Sequence, residues 1–266
     1  MASFSVVNNI AAANAQANLA TTSIGLNKAL NRLSTGLRIN SSGDDAAGLA
    51  VANSYRSSVA VLNQGIRNAN DGLSSLQIKD GALNNISTLL DRLSTLATQS
   101  ASSSSTVNRT ALNQEFQDVL TEINREANVA GLNASSGFSV FVSNNSGNGT
   151  IGGTVGRGDA TGLGINALAV DTAGNAATAV STLATAVGTL GGIQAQVGTI
   201  ENRLQYAISL AQSQVVNTQA AESRLRDANV AEESSNLTRY NILTQAGIAA
   251  LAQANASTAA VLALLR

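Results

Sequence analysis

No proline interrupts the 266 residues of this chain, and that absence constrains its fold more than any residue present. Proline removes an amide donor and clashes with the preceding helical turn, so a chain without it can run long, unbroken helices. Slow prolyl isomerisation is also absent, which suits a chain that must unfold and refold readily. Leucines recur at seam spacing near both ends. Leu19, Leu26 and Leu33 are seven residues apart, and Leu237, Leu251 and Leu265 stand at multiples of seven, with Ile248 and Leu262 three positions ahead of the last two. This spacing predicts a coiled-coil seam formed by the two ends of the chain.

The seam is a weak one, because Thr244, Asn255 and Thr258 occupy seam positions. The other faces carry almost no charge: none from Met1 to Asn27, and only Arg239 and Arg266 from Ser234 onward. A solvated surface helix carries charge on its water-facing side. These ends are therefore expected to pair with each other and then pack against neighbours. With aromatics at 3% and no Trp, alanine and leucine must supply most of the packing.

Three further helical patterns lie between the ends. The first starts near Asp44 and carries Leu62, Ile66, Ala69, Leu73, Leu76, Leu83, Leu90 and Ala97. The second carries Leu112, Phe116, Val119, Leu120 and Ile123, after a loop "ASSSSTVN" from Ala101 to Asn108. The third runs through Leu183, Val187, Leu190, Val197, Leu204, Ile208, Ala211, Val215 and Leu225. Steps of three, four and seven describe amphipathic helices that bundle. Between the second and third, Phe138, Val140 and Val142 alternate, asparagines and glycines follow, and then come Thr150, Ile151, Thr154 and Val155. That order predicts a β-hairpin. The glycines of "GTIGGTVGRG" lack the strand-to-helix context and downstream acid of a nucleotide-binding turn.

The expected fold class is mainly α: a long antiparallel helical bundle and coiled coil formed by both termini, with a small β-hairpin in the middle. The expected domains are residues 1–43 with 230–266 as a terminal coiled coil, 44–135 with 170–229 as a helical rod, and 136–169 as an insert of the rod.

Chemistry is narrowly bounded. There is no His and no Cys, so the commonest general base, the thiol nucleophile and the usual zinc, haem and iron-sulfur ligand sets are missing. No catalytic residue, metal or cofactor is expected. Fifteen basic residues against sixteen acidic ones leave a net charge of −1, without the basic face that nucleic acid requires. The amino terminus lacks the basic n-region of a cleaved signal peptide, and no run approaches the roughly 18 apolar residues of a membrane span. No membrane partner is expected.

"LSTGLRINSSGDDAAGLAV", from Leu33 to Val51, resembles a ligand loop at first sight. Adjacent Asp44 and Asp45 would project about 100° apart on a helix, a poor arrangement for two carboxylates that must share a substrate. The stretch reads instead as a connector. Gly36 ends one helix in the left-handed conformation, Ser41 or Ser42 caps the next, and Asp44 or Asp45 three residues on completes a capping box. On the helix that follows, Leu89, Arg92 and Leu96 fall roughly 100 to 160° from a stripe centred on Leu90 and are expected to form an outward contact face.

Four long blocks resemble bacterial flagellin, the subunit of the flagellar filament: "NRLSTGLRINSSGDDAAGLAVANSYRS" from Asn31, "ANDGLSSLQIKDGALNNISTLLDRLSTLATQSA" from Ala69, "ENRLQYAIS" from Glu201, and the whole stretch from Glu222 to the end. The resemblance implies that the paired termini line an inner tube, that the adjoining helices form an outer rod, and that the chain polymerises with copies of itself for swimming motility. The central insert is short, which marks a minimal flagellin. The uncharged ends are then expected to order on incorporation. By the same resemblance Arg92, Leu96 and Glu115 match a face used between subunits. In flagellins sensed by the vertebrate flagellin-recognising Toll-like receptor, that face is also the receptor's primary site. The chain departs from the strongest receptor-active pattern at Ser94, Thr95 and Val119.

Further implied partners are a flagellar export chaperone over the segment ending "VLALLR", a filament cap and hook-junction proteins. The implied location is extracellular, reached by the flagellar type III route without a cleaved signal. Ser143, Ser146 and Thr150 are candidates for O-glycosylation. Two alternatives are a hook-filament junction protein of the same axial family and a hydrolase using Asp44 and Asp45.

Overall fold

The computed structural model describes residues 8–103, 108–143 and 149–264, with side chains described as far as residue 257. Among the described residues seven elements follow one another: α1 (Ile10–Thr35), α2 (Ala46–Ala101), α3 (Arg109–Val129), β1 (Ser136–Phe141), β2 (Thr150–Val155), α4 (Ala173–Arg226) and α5 (Val230–Leu264). The architecture is mainly α with one small central hairpin, as the residue pattern predicts. The loop expected at 101–108 lies partly outside the described residues. The chain divides into two compact units, Met1–Ser57 with Thr218–Arg266, and Ser58–Asn217.

In the terminal unit α1 and α5 pair antiparallel: Asn9 donates to the Ala254 carbonyl, Gly247 lies against Leu19, Tyr240 against Gly25, and Arg32 against Glu233. The α1 side of the seam is Ala12, Ala15, Leu19, Thr22, Leu26, Ala29 and Leu33, of which only Ala29 is fully buried. On α5 the seam is Glu233, Leu237, Tyr240, Thr244, Gly247, Leu251 and Ala254. Steps of three and four keep each set on one face of its helix. Asparagines cap both helices: Asn9 Oδ1 accepts from Ala12 N, and Asn229 Oδ1 from Ala231 N.

The second unit holds one continuous apolar core, from Leu62 on α2 to Ala211 on α4. On α4 the buried set is Ala176, Ala179, Leu183, Ala186, Leu190, Ile193, Val197, Ile200, Leu204 and Ala211, which steps by three and four until its last interval. Val187, expected in this stripe, is exposed because the heptad runs through Ala186 instead. By length and composition alone, α4 is also long and apolar enough to cross a membrane. In this unit its apolar stripe packs into a protein core.

The hairpin pairs antiparallel, with Phe138 opposite Gly153 and Val140 opposite Ile151. It lies against α2 where Gly65 and Gly72 clear a path. A Cβ on Gly65 would meet the Val142 carbonyl oxygen at 1.7 Å, and one on Gly72 would meet Val140 at 2.7 Å. Arg203 of α4 donates to the Gly152 carbonyl at 2.9 Å, and Gln196 accepts from Gly156 N at 3.1 Å. The irregular segment after the hairpin is held by polar side chains of α3. Asn113 accepts from Val170 N, Gln117 donates to Leu168 O, and Asn124 accepts from Ala160 N, at 2.9, 2.9 and 3.0 Å. Ile165 and Val170 close the core there.

Candidate interaction surfaces and the connector

The connector between α1 and α2 begins at Gly36, whose φ of 72° ends α1 with its N–H bonded to the Arg32 carbonyl. The chain then pairs with the end of α4. Arg38 N donates to Arg226 O at 2.6 Å, Ala228 N to Gly36 O at 2.8 Å, and Arg226 Nε to Ile39 O at 3.2 Å. Ile39 is buried beneath this clasp, against Gly48.

The two aspartates divide their roles differently from the expected capping box. The turn closed by Asp44 N and Ser41 O delays the helix, so α2 starts only at Ala46. Asp45 Oδ1 accepts from Gly48 N, three residues on, at 2.8 Å, which makes Asp45 the helix cap. Ser41 and Ser42 are exposed and do not cap; Ser41 instead bonds back to Asp44. Asp44 Oδ1 lies 2.9 Å from Lys28 Nζ on α1, while Oδ2 accepts from Asn40 N and Ser41 N. The Lys28 hydrogen bond, with smaller help from the two backbone amides, outweighs partial burial and holds the Asp44 carboxyl down at about 2.

On α5, Glu233 is nearly enclosed, at 7% exposure, and accepts from Arg32 at 2.9 Å. Arg32 Nε is buried with no hydrogen-bond partner among the described residues. The expected seam is corrected at Ile248, which is 56% exposed, and at Asn255, also exposed. The reason is Gly247: its missing side chain admits Leu19, so the seam passes through the glycine and leaves the adjacent isoleucine outside. Leu19, Leu26, Leu33, Leu237 and Leu251 lie half-buried in the seam, whereas Thr258, Leu262 and Leu265 fall outside the residues whose side chains are described.

Gly25, Glu233, Tyr240 and Gly247 were missed from sequence, although continuing the seven-residue steps back from Leu251 and Leu237 reaches Thr244 and Val230, and the intervening positions reach Glu233, Tyr240 and Gly247. Away from the seam, Ile10 (65% exposed) and Ile24 (70%) lie on the far side of α1, and Ile242 (61%) on the far side of α5. Large apolar residues thus stand exposed on the faces opposite the seam.

In the second unit Arg92 Nε donates to Glu115 Oε1 at 2.9 Å, so α2 and α3 together present this ion pair at the surface. Leu89 beside it is half-buried. Leu96 is a correction: it is 1% exposed and belongs to the core. The wheel allowed α2 one buried stripe, but near its end α2 has two neighbours. Ser100 donates to Val170 O, Arg109 of α3 donates to Ser100 O, and the buried arc widens to take in Leu93, Leu96 and Ser100. Elsewhere on the unit, burial together with the Asp80 charge pushes the Glu201 carboxyl up. Among the described residues no three Asp, Glu, His or Cys side chains gather as a metal site needs.

Residues 6–141 match the family model described as the bacterial flagellin N-terminal helical region, and residues 171–265 match the bacterial flagellin C-terminal helical region. The chain is 36% identical over 276 residues to the flagellin of Halalkalibacterium halodurans, covering 97% of this chain and 98% of that one. It is 32% identical over 281 residues to flagellin FlaB1 of Treponema pallidum, with 97% and 98% covered. Among solved structures, Bacillus cereus flagellin aligns over 59% of this chain and 94% of its own, at 26% identity and a TM-score of 0.49.

Proposed function

The chain belongs to the bacterial flagellin family and is a structural subunit that polymerises into the extracellular flagellar filament, and on that premise we propose that its α1–α5 coiled coil is the element through which neighbouring copies hold one another. The observation that carries this reading is the pair of exposed apolar faces, with Ile10 and Ile24 on α1 and Ile242 on α5, opposite a seam that is itself only half-buried. A lone coiled coil of this composition gains little from burial. Packing those faces on further copies in a helical, non-closing array would bury them and extend the filament. The terminal helices, only half-buried along their seam in the single chain, gain the rest of their burial and order as they are incorporated, a coupled folding and binding step.

In this reading residues 1–43 and 230–266 form the inner tube, 44–135 and 170–229 the rod, and 136–169 its insert. Gly36, Asp44 and Asp45 set the joint between them. The Arg92–Glu115 pair with Leu89 is a contact face toward a neighbouring subunit, and it is the face a flagellin-sensing Toll-like receptor would meet. An export chaperone covers the carboxyl-terminal segment before export by the flagellar type III route, and cap and hook-junction proteins meet the chain at the filament ends. The chain performs no catalysis of its own.

Removing residues 229–266 tests the central claim. The truncated chain is expected to stay soluble and helical by circular dichroism and to form no filaments when seeded. Normal filaments from it, seen by electron microscopy, would overturn the reading.

A further inference from the structure

We propose that Arg32, Glu233, Gly25 and Tyr240 form a register lock that selects one alignment of α1 against α5 from several that the seam's apolar residues would accept. Four observed contacts give a nearly constant antiparallel offset: Asn9 with Ala254, Leu19 with Gly247, Gly25 with Tyr240, and Arg32 with Glu233. That offset places Ala15 level with Leu251, Thr22 with Thr244 and Ala29 with Leu237. Leucine thus faces alanine at two of these levels, and threonine faces threonine at the third.

The apolar set is nearly degenerate under a slip of one heptad. Moving α5 by seven residues brings Leu26, in place of Leu19, to Gly247, and Ala29, in place of Thr22, to Thr244. Leucine still meets glycine, and small still meets small. Buried apolar layers of this kind discriminate poorly between registers, whereas a polar or shape-specific layer discriminates strongly because its slipped partner leaves a group unpaired or clashing.

Two such layers sit at one end of the pair. Gly25 is the only glycine within α1, and a Cβ there would lie 2.6 Å from the Tyr240 ring, so no other α1 position offers the same notch. Under one slip Tyr240 comes level with Arg32 and Leu33; under the opposite slip it comes level with Asn18 and Leu19. Glu233 is nearly enclosed, with Arg32 bonded to it, and either slip separates them. One slip sets the carboxylate level with Gly25 and Leu26, and the other carries it past the end of α1. Lys28 and Asp44 pair with each other on the α1 side, Asp44 also lies 4.0 Å from Arg32, and on α5 Arg239 stands 5.5 Å over the Tyr240 ring while Glu232 adjoins Glu233. None of these groups comes level with Glu233 after a full heptad slip.

The chain has no Cys, so inserted cysteine pairs can report the register. The pair Leu19→Cys with Gly247→Cys reads the native alignment, and Leu26→Cys with Gly247→Cys reads the slip. Thiol crosslinking is measured in both soluble chains and seeded filaments, with sedimentation recording polymerisation separately. A failure of the filament reading is thereby distinguished from a failure of the lock. In the otherwise unchanged chain, the native reporter is expected to exceed the slipped one by on the order of tenfold. In a chain carrying Gly25→Ala, Arg32→Leu, Glu233→Leu and Tyr240→Leu, the excess is expected to vanish while helicity is kept.

A charge-reversal series guards against misfolding of that variant. Glu233→Arg alone should abolish the native excess, and Arg32→Glu with Glu233→Arg should restore it. The proposal is overturned if the unlocked chain keeps its native excess, if the double reversal does not restore it, or if the unchanged chain shows no excess in either state.

Discussion

The terminal coiled coil and the Ser58–Asn217 unit share a heptad grammar and differ in how much of it they satisfy. The α4 stripe of the second unit is buried from Ala176 to Leu204 at every step, and Phe116, Ile123 and Ile165 fill the space around it. The α1 stripe of the terminal unit buries Ala29 alone, and its leucines stay half-buried. The same spacing therefore yields a closed core when three helices, a hairpin and a packed loop converge, and an open seam when only two helices meet. Burial, not periodicity, is what stabilises a helix in water. The second unit buries its own stripe, whereas the terminal unit leaves part of its stripe open.

The sharpest way to break this comparison is to truncate one apolar side chain in each unit. Phe116→Ala is expected to destabilise the soluble chain by roughly 3–5 kcal/mol. Leu26→Ala should cost under about 1 kcal/mol there, and should instead raise the concentration needed for filament growth. Denaturant unfolding and sedimentation read the two effects, and equal losses in the soluble chain would mean that the terminal unit is self-sufficient.

Next in size is Gly65→Val. Its Cβ would fall on the Val142 carbonyl, so the hairpin must move, at a cost of about 3 kcal/mol in unfolding free energy. Smaller again is Asp45→Ala, which removes the α2 cap and should cost about 1 kcal/mol with a modest loss of helicity. The terminal unit also carries a pH dependence. The Asp44 carboxyl is lowered from 3.8 to about 2 in the folded chain, so its stabilisation is complete above about 4 and disappears as the pH falls through 2. Because Lys28 is about half exposed, screening limits it to roughly 1 kcal/mol. Asp44→Asn should therefore be less stable than the unchanged chain at pH 6 and equal to it below pH 2; a gap that persists in acid would assign the effect to something other than this ion pair.

Much of the fold was legible because it rests on local regularity. The absence of proline and the recurring leucines announced the long helices, and the alternation of Phe138, Val140 and Val142 before an asparagine-glycine turn announced the hairpin. The surfaces were less legible. Leu96 looked outward on a wheel that assumed one neighbour, and Ile248 looked inward on a spacing that ignored Gly247. Both errors come from treating a helix by itself, when its buried arc is set by how many partners it has and where they are small enough to approach. The capping role passed from the serines to Asp45 for a similar reason: the clasp of Arg38 and Ile39 on Arg226 and the turn at Ser41–Asp44 delay the start of α2.

Composition and the periods of two and seven thus suffice for the helical class, the pairing of the two ends and the central hairpin. Which residues those elements spend on each other is settled in three dimensions: Tyr240 in the notch at Gly25, Glu233 on Arg32, Leu96 in the core and Asp44 on Lys28. These choices depend on close approach between segments distant in the chain, where a missing Cβ or a single opposite charge selects among alignments that periodicity leaves equivalent.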